Sequence, residues 1–185
     1  MARAPRIVVL DRDGVINEDS GEFIKSVAEW QPIPGSLEAI AELTAAGFLV
    51  AVVTNQSGVA RGLFTEETLL AIHRHMTAAV ERAGGRLAGI YYCPHHPDDG
   101  CECRKPRPGL LRRLERDLGL SLSGAPFVGD RVSDVLAAEM VGATPILVRT
   151  GTGPATERLL QNRSVEVFAD LKAAAHALIA GMEKP

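Results

Sequence analysis

Three short apolar runs each stop on residues that can carry chemistry, and this arrangement narrows the possible folds more than any other feature of the chain. Arg6–Leu10 (R-I-V-V-L) closes on Asp11, Phe48–Val53 (F-L-V-A-V-V) on Thr54-Asn55, and Pro126–Val128 (P-F-V) on Gly129-Asp130. Short Val- and Ile-rich runs without polar alternation are strands buried on both faces, as in a parallel sheet. Amphipathic stretches lie between them. Pro34-Gly35 opens a helix with Leu37, Ile40 and Leu43 on one face, and Gly47 ends it. Thr65, followed by Glu66 and Glu67, caps a longer helix with Leu69, Ile72, Met76 and Val80 on its apolar face, ended by Gly84-Gly85. Pro108 stands at a first helical position before Leu110, Leu111, Leu114 and Leu118, and Gly119 stops that helix. Further strands are predicted at Gly89–Tyr92, Pro145–Val148 and Glu166–Phe168, and further helices over Val132–Val141 and Asp170–Ala180. The alternation predicts an α/β, three-layer, Rossmann-like parallel sheet with helices on both faces. Nothing between the elements is long enough for a large cap domain, so residues 1–185 are expected to form a single domain.

Composition limits the function classes. Hydrophobic residues make up 46% and charged residues 23%, which excludes a disordered chain. The net charge of −3 makes no electrostatic case for a nucleic-acid partner. The longest apolar run, Phe48–Val53, falls far below the roughly 20 residues of a membrane-spanning helix. The start, Met1 to Leu10, lacks the apolar core of an export signal. The expectation is a cytoplasmic monomer with no membrane partner.

In open parallel sheets, ligands sit outside the carboxyl ends of the strands. Here those ends carry Asp11-Arg12-Asp13-Gly14, Thr54-Asn55-Gln56-Ser57-Gly58 and Gly129-Asp130, with Asp134 four residues on. Carboxylates converging at one edge need a cation, and an all-oxygen donor set suits magnesium. Asp11 is placed as a nucleophile that takes a phosphoryl group. Asp13 can protonate the leaving oxygen and then deprotonate water. Gly14 allows close backbone approach to a phosphate. Thr54 and Asn55 offer a hydroxyl and an amide, and Lys105 a positive charge for the transferring group.

The three cysteines, Cys93, Cys101 and Cys103, lie within eleven residues of one another. An odd, clustered count reads as metal ligation rather than a disulfide framework. Cys93-x-His95 with Cys101-x-Cys103 supplies four ligands for a tetrahedral zinc, with His96 the rival to His95. Four protein ligands leave no open position, so this zinc is structural. It anchors the segment that carries Arg104 and Lys105.

The ordered set Asp11-Arg12-Asp13-Gly14, Thr54-Asn55, Lys105 and Gly129-Asp130 through Asp134 resembles the haloacid dehalogenase superfamily of phosphatases, from about Arg6 to about Gly151. The resemblance implies magnesium held by Asp11, the Asp13 backbone carbonyl and Asp130. It implies phosphoryl transfer through Asp11, Asp13 as acid and base, and Thr54 and Lys105 on the phosphate. The longer stretches Thr54 through Gly62, Tyr91-Tyr92-Cys93-Pro94-His95-His96-Pro97 and Cys101-Glu102-Cys103-Arg104-Lys105-Pro106 are similar to the branch that dephosphorylates heptose bisphosphates. Phosphatases of histidinol phosphate are its near relatives, and nucleic-acid 3′-phosphatases share the first motifs. That branch implies a small phosphorylated sugar as substrate, on the way to lipopolysaccharide, and favours His95 as the zinc ligand. It implies that Arg104 reads the phosphate that is not cleaved, with help from Arg61. Asp19-Ser20-Gly21-Glu22 should line the mouth of the site. Arg12, Asn55, Gln56 and Ser57 stand inside the matching motifs and are carried over as substrate contacts. Two stretches depart from the branch: the zinc loop between His95 and Cys101 is short, and Ser20-Gly21-Glu22-Phe23 replaces the more usual Gly-Tyr-Val form.

Overall fold

The computed structural model describes residues 6–182. The first part of the stretch read as lacking an export signal (residues 1–5) and residues 183–185 of the expected single domain lie outside the described residues. Six strands form one sheet: β1 (Arg6–Leu10), β2 (Phe48–Asn55), β3 (Leu87–Cys93), β4 (Pro126–Gly129), β5 (Thr144–Val148) and β6 (Glu166–Phe168). Every pairing is parallel, and the order is β3-β2-β1-β4-β5-β6. The chain order therefore reverses between β1 and β4, where such sheets open a crevice at their carboxyl ends.

Successive side chains of a strand point to opposite faces, and both faces here are apolar. Val8, Leu10, Val50 and Val52 pack under α1 (Ser36–Ala45), α2 (Glu66–Arg82) and α6 (Leu171–Met182), against Ile40, Leu43, Ile72, Met76 and Ala174. Ile7, Val9, Ala51, Val53 and Phe127 pack under α3 (Gly109–Leu118) and α4 (Val132–Met140), against Leu110, Leu111, Leu114 and Ala137. This two-sided burial is why the strands lack polar alternation. Between β1 and α1 the only helical element is a 3-10 turn, Val27–Glu29, so no inserted cap appears among the described residues. No described helix is long and apolar enough to cross a membrane.

The structure extends several elements. β2 continues through Thr54 and Asn55, which pair in register with Tyr92 and Cys93 of β3. Both polar residues therefore sit on the strand rather than in a following loop. Pro108 is the N-cap of α3, one residue ahead of its expected place. Helix α5 (Gly153–Leu159) was not expected, because its G-P-A-T-E-R-L sequence carries no apolar period.

Leu114 is fully buried between α3 and the sheet. Leu114→Ala is expected to lower unfolding free energy by about 2–5 kcal/mol with an unchanged urea m value; a loss below about 1 kcal/mol would show that this face is not close-packed.

Candidate active site

Four charged side chains from separate segments meet where β1 and β4 part. Asp11 ends β1, Lys105 comes from the loop after β3, Asp130 follows β4, and Asp134 lies in the first turn of α4. Lys105 Nζ is 3.0 Å from Asp11 Oδ1 and 2.7 Å from Asp134 Oδ1, and it donates to the Val53 carbonyl at 2.7 Å. The Phe127 ring lies 5.4 Å beneath it. Burial works against the charge on Lys105, but Asp11 and Asp134 outweigh it and hold its pKa above the ordinary lysine value. All four groups are buried. Three carboxylates against one ammonium leave two negative charges to be balanced. Arg131 comes no closer than 3.8 Å to Asp130 Oδ1, and its Nη2 is already committed to Asp19 at 2.5 Å. Burial, then Asp134, pushes the Asp11 carboxyl up to about 8 despite Lys105. Burial and Asp134 likewise bring Asp130 up to about 6.

Asp130 is fixed from one side. Its Oδ2 accepts from the Thr152 backbone N–H at 2.7 Å and from Thr152 Oγ1 at 2.9 Å. A methyl group on Gly14 or on Gly151 would lie 2.4 Å from that same oxygen, so glycines at these two positions let the loops after β1 and β5 close around the carboxylate. Asp130 Oδ1 is buried with no hydrogen-bond partner. The carboxylate oxygens of Asp11, Asp130 and Asp134 lie within 4.8 Å of one another. An all-oxygen set with two uncompensated charges, in which Asp130 Oδ1 and Asp134 Oδ1, the latter ion-paired with Lys105, both lack a hydrogen-bond donor, fits a hard divalent cation such as magnesium.

The Asp13 carboxylate is not part of that set. Its Oδ1 accepts from Arg12 Nε and Asn17 Nδ2, each at 2.9 Å, and its Oδ2 from Arg12 Nη2 at 3.0 Å and Gln56 Nε2 at 2.8 Å. Burial raises its pKa, but the Arg12 guanidinium and the hydrogen bonds from Asn17 and Gln56 more than reverse this and hold it below the usual carboxylate range. Gln56 Nε2 also reaches Thr54 Oγ1 at 2.9 Å, which ties β2 to the Asp13 turn.

Cys93, at the end of β3, meets His95, Cys101 and Cys103. The sulfur–sulfur separations are 3.6, 3.2 and 3.5 Å, and His95 Nδ1 lies 3.5 Å from Cys93 Sγ and 3.1 Å from Cys103 Sγ. Ligands at ordinary zinc bond lengths stand about 3.6–3.8 Å apart around a tetrahedron, so this slightly contracted cluster has the dimensions of a zinc site. His96 turns away, its Nδ1 accepting from the Asp98 N–H at 3.3 Å. From this loop the chain passes directly to Lys105, whose backbone is bracketed by the Asn55 amide: Nδ2 donates to Lys105 O at 3.1 Å, and Lys105 N donates to Asn55 Oδ1 at 3.0 Å.

Above the charged cluster opens a cavity of about 320 Å³, lined by Asp11, Asp13, Thr54 and Lys105 at its floor. Asp19, Gly21, Phe23, Asn55, Ser57, Arg61, Arg104, Arg131 and Ser133 form its walls. Arg104 Nη1 is buried there without a hydrogen-bond partner, and the Arg61 guanidinium sits 5.9 Å from the Phe23 ring centre.

Residues 102–174 match the family described as "HAD-hyrolase-like". A protein of Pseudomonas putida named D-glycero-beta-D-manno-heptose-1,7-bisphosphate 7-phosphatase is 50% identical over 174 residues, covering 94% of this chain and 99% of its own. Its namesake from Bordetella bronchiseptica is 49% identical, covering 94% and 98%. A crystal structure of the D,D-heptose 1,7-bisphosphate phosphatase from B. bronchiseptica, complexed with magnesium and phosphate, superposes with a TM-score of 0.90 at 48% identity, covering 95% of this chain and 99% of that one. The chain belongs to the haloacid dehalogenase-like hydrolases, in their heptose bisphosphate phosphatase branch.

Within that haloacid dehalogenase-like frame, the structure gathers Asp11, Asp13, Thr54, Asn55, Ser57, Arg61, Arg104, Lys105, Asp19 and Gly21 around one cavity. Four expected contacts are elsewhere. Arg12 is fully buried beneath the cavity, because its guanidinium is consumed by Asp13 and by His73. Gln56 is buried as the strap between Thr54 and Asp13. Ser20 closes its own turn by donating to the Phe23 carbonyl at 2.9 Å, and Glu22 faces solvent. Phe23, in the stretch that departs from the branch, lies on the wall, and the sequence does not mark Arg131 and Ser133 as wall residues or Asn17, His73 and Thr152 as supports. His73 and Thr152 carry no local signal, since their partners Arg12 and Asp130 lie far away in the chain, whereas Asn17 stands only four residues from Asp13. Asp134 was visible only as a motif member, and its ion pair with Lys105 was not.

Because Asp11 and Asp130 are raised above ordinary carboxylates, the metal-free fold keeps protons that the unfolded chain has lost, and its stability falls as pH climbs from about 4 to about 8. Magnesium must displace those protons. The rise in melting temperature on adding magnesium should therefore be larger at about pH 8.5 than at about pH 6; an equal rise at both would contradict the assignment of these carboxylates to the metal. Stripping zinc and restoring magnesium should raise KM and lower kcat together, since Arg104 and Lys105 ride on the zinc loop. Unchanged constants after full zinc removal would exclude that coupling.

Proposed function

We propose that this chain is a magnesium-dependent phosphatase that removes the 7-phosphate of D-glycero-β-D-manno-heptose 1,7-bisphosphate through an aspartyl-phosphate on Asp11. The observation that carries this reading is the buried Asp11–Lys105–Asp134–Asp130 cluster opening into a cavity walled by three arginines. Asp11, the Asp13 backbone carbonyl and Asp130 hold magnesium, which supplies charge neutralisation for the phosphate when bound. Lys105 and Thr54 hold the transferring group. An Asp11 carboxylate oxygen attacks phosphorus, the bond to the sugar oxygen breaks, and Asp13 gives that oxygen its proton. Asp13 then takes a proton from water; the water oxygen attacks phosphorus, inorganic phosphate departs and the Asp11 carboxylate returns. Arg12 favours the base form of Asp13, and the negative charge of the arriving phosphate raises the carboxyl for the acid step.

A bisphosphate needs a second anion site. Arg104, with its unpartnered buried Nη1, and Arg61 supply one, which histidinol phosphate would leave empty. Asp19 and Gly21 shape the mouth, and Asn55 and Ser57 complete the wall. The zinc on Cys93, His95, Cys101 and Cys103 holds the Arg104-Lys105 segment in register. The same reading takes the chain as a one-domain cytoplasmic monomer with a small phosphorylated sugar as its partner. The net charge of −3 and the absence of a membrane-crossing helix among the described residues support it.

With magnesium present, kcat/KM for the heptose bisphosphate should stand well above that for histidinol phosphate or a nucleotide monophosphate. Asp11→Asn should keep the fold and lose about a thousandfold or more of this turnover. A preference for either competitor, or an active Asp11→Asn protein, would overturn the reading.

A further inference from the structure

Arg12 and His73 form a buried pair that the chemistry above does not use. Arg12 has no exposed surface, and His73 is 5% exposed. A guanidinium is permanently charged and can only donate hydrogen bonds, so a buried one must find acceptors on every side. Two of its nitrogens chelate the carboxylate of its own neighbour, Asp13. The third, Nη1, lies 3.2 Å from His73 Nε2. That nitrogen must therefore be the unprotonated acceptor of a neutral imidazole. Burial and the adjacent guanidinium hold the imidazole in that state, bringing its pKa down to about 3. His73 belongs to the middle of α2, between the core residues Ile72 and Met76, and its ring lies 5.5 Å from that of Tyr92 on β3. It is thus a fixed point, whereas Arg12 is a long side chain with several rotatable bonds that would otherwise be held at one end only.

We propose that His73 is a positioning residue: its Nε2 pins the Arg12 guanidinium, which in turn holds the Asp13 carboxylate in line with the leaving oxygen. This rests on the assignment of Asp13 as acid and base. Losing the pin should weaken proton delivery to a poor leaving group while sparing both phosphate binding and attack by Asp11. kcat/KM isolates the steps through departure of the leaving group. A sugar alkoxide needs the proton, and p-nitrophenolate departs without it.

The test compares His73→Gln, whose side-chain amide reaches the place of Nε2, with His73→Asn, whose amide stops at the place of Nδ1. Both are assayed as folded proteins with magnesium on the heptose bisphosphate and on p-nitrophenyl phosphate. His73→Asn should lose about tenfold or more in kcat/KM on the sugar substrate and less than about threefold on the aryl substrate. His73→Gln should stay within about threefold of wild type on both. Equal behaviour of the two variants, or equal losses on the two substrates, would overturn the proposal. A wild-type protein inactive on both substrates would overturn the phosphatase reading and this role with it.

Discussion

A single ammonium holds the centre of this molecule together. Lys105 forms ion pairs with Asp11 and Asp134 and donates to the Val53 carbonyl, and so joins four segments that are distant in the chain. Buried like charges repel strongly, and removing one partner of such a cluster leaves the others unpaired at a cost of several kcal/mol, about 3–5. The arrangement is tolerable because it is incomplete by design of the charge count: two negative charges remain for a divalent cation. The orphaned Asp130 Oδ1 marks where that charge is missing.

The fold makes this convergence possible. The reversal of strand order between β1 and β4 opens a crevice at the carboxyl ends, and Asp11 and Asp130 flank it. Gly14 and Gly151 let two loops approach the Asp130 carboxylate more closely than any side chain would permit, and Thr152 restrains one of its oxygens so that the other faces the cluster. On the far side, the register of Thr54 with Tyr92 and of Asn55 with Cys93 couples the polar end of β2 to the first cysteine of the Cys/His cluster. The Asn55 amide then grips the Lys105 backbone. Zinc loop, strand end and lysine are therefore one mechanical unit. The Cys93–His95–Cys101–Cys103 cluster, which has the dimensions of a zinc site, leads straight into Arg104 and Lys105.

Much of this was legible in the residues, for identifiable reasons. Strands buried on both faces announce themselves as unbroken apolar runs, so β1, β2 and β4 were located to within two residues. The polar residues that end them are short-range signals, and so is the Cys-x-His with Cys-x-Cys spacing. What could not be read depends on side-chain direction and on distant partners. Arg12 sits between two site aspartates in the sequence, a place that implies a substrate contact, but the backbone turns its side chain inward to Asp13 and His73. Gln56 was misplaced for the same reason. In the mouth, turn geometry decided: Asp19, Gly21 and Phe23 face the cavity while Ser20 and Glu22 do not. Thr152 carries no motif of its own, and only the fold brings it to Asp130, as it brings Arg131 to Asp19. Helix α5 lacks an apolar period because its short sequence buries little beyond Gly153 and Thr156.

The most direct test of the central claim, that the uncompensated charge at the β1–β4 crevice is matched by one divalent cation beside Asp11, is a crystal structure with manganese and beryllofluoride. The account predicts a single anomalous peak at this crevice, bonded to Asp11 and Asp130, with the beryllium group carried on the Asp11 carboxylate and contacted by Lys105. Manganese bound instead to the Asp13 carboxylate, or a beryllium group on any other residue, would contradict it.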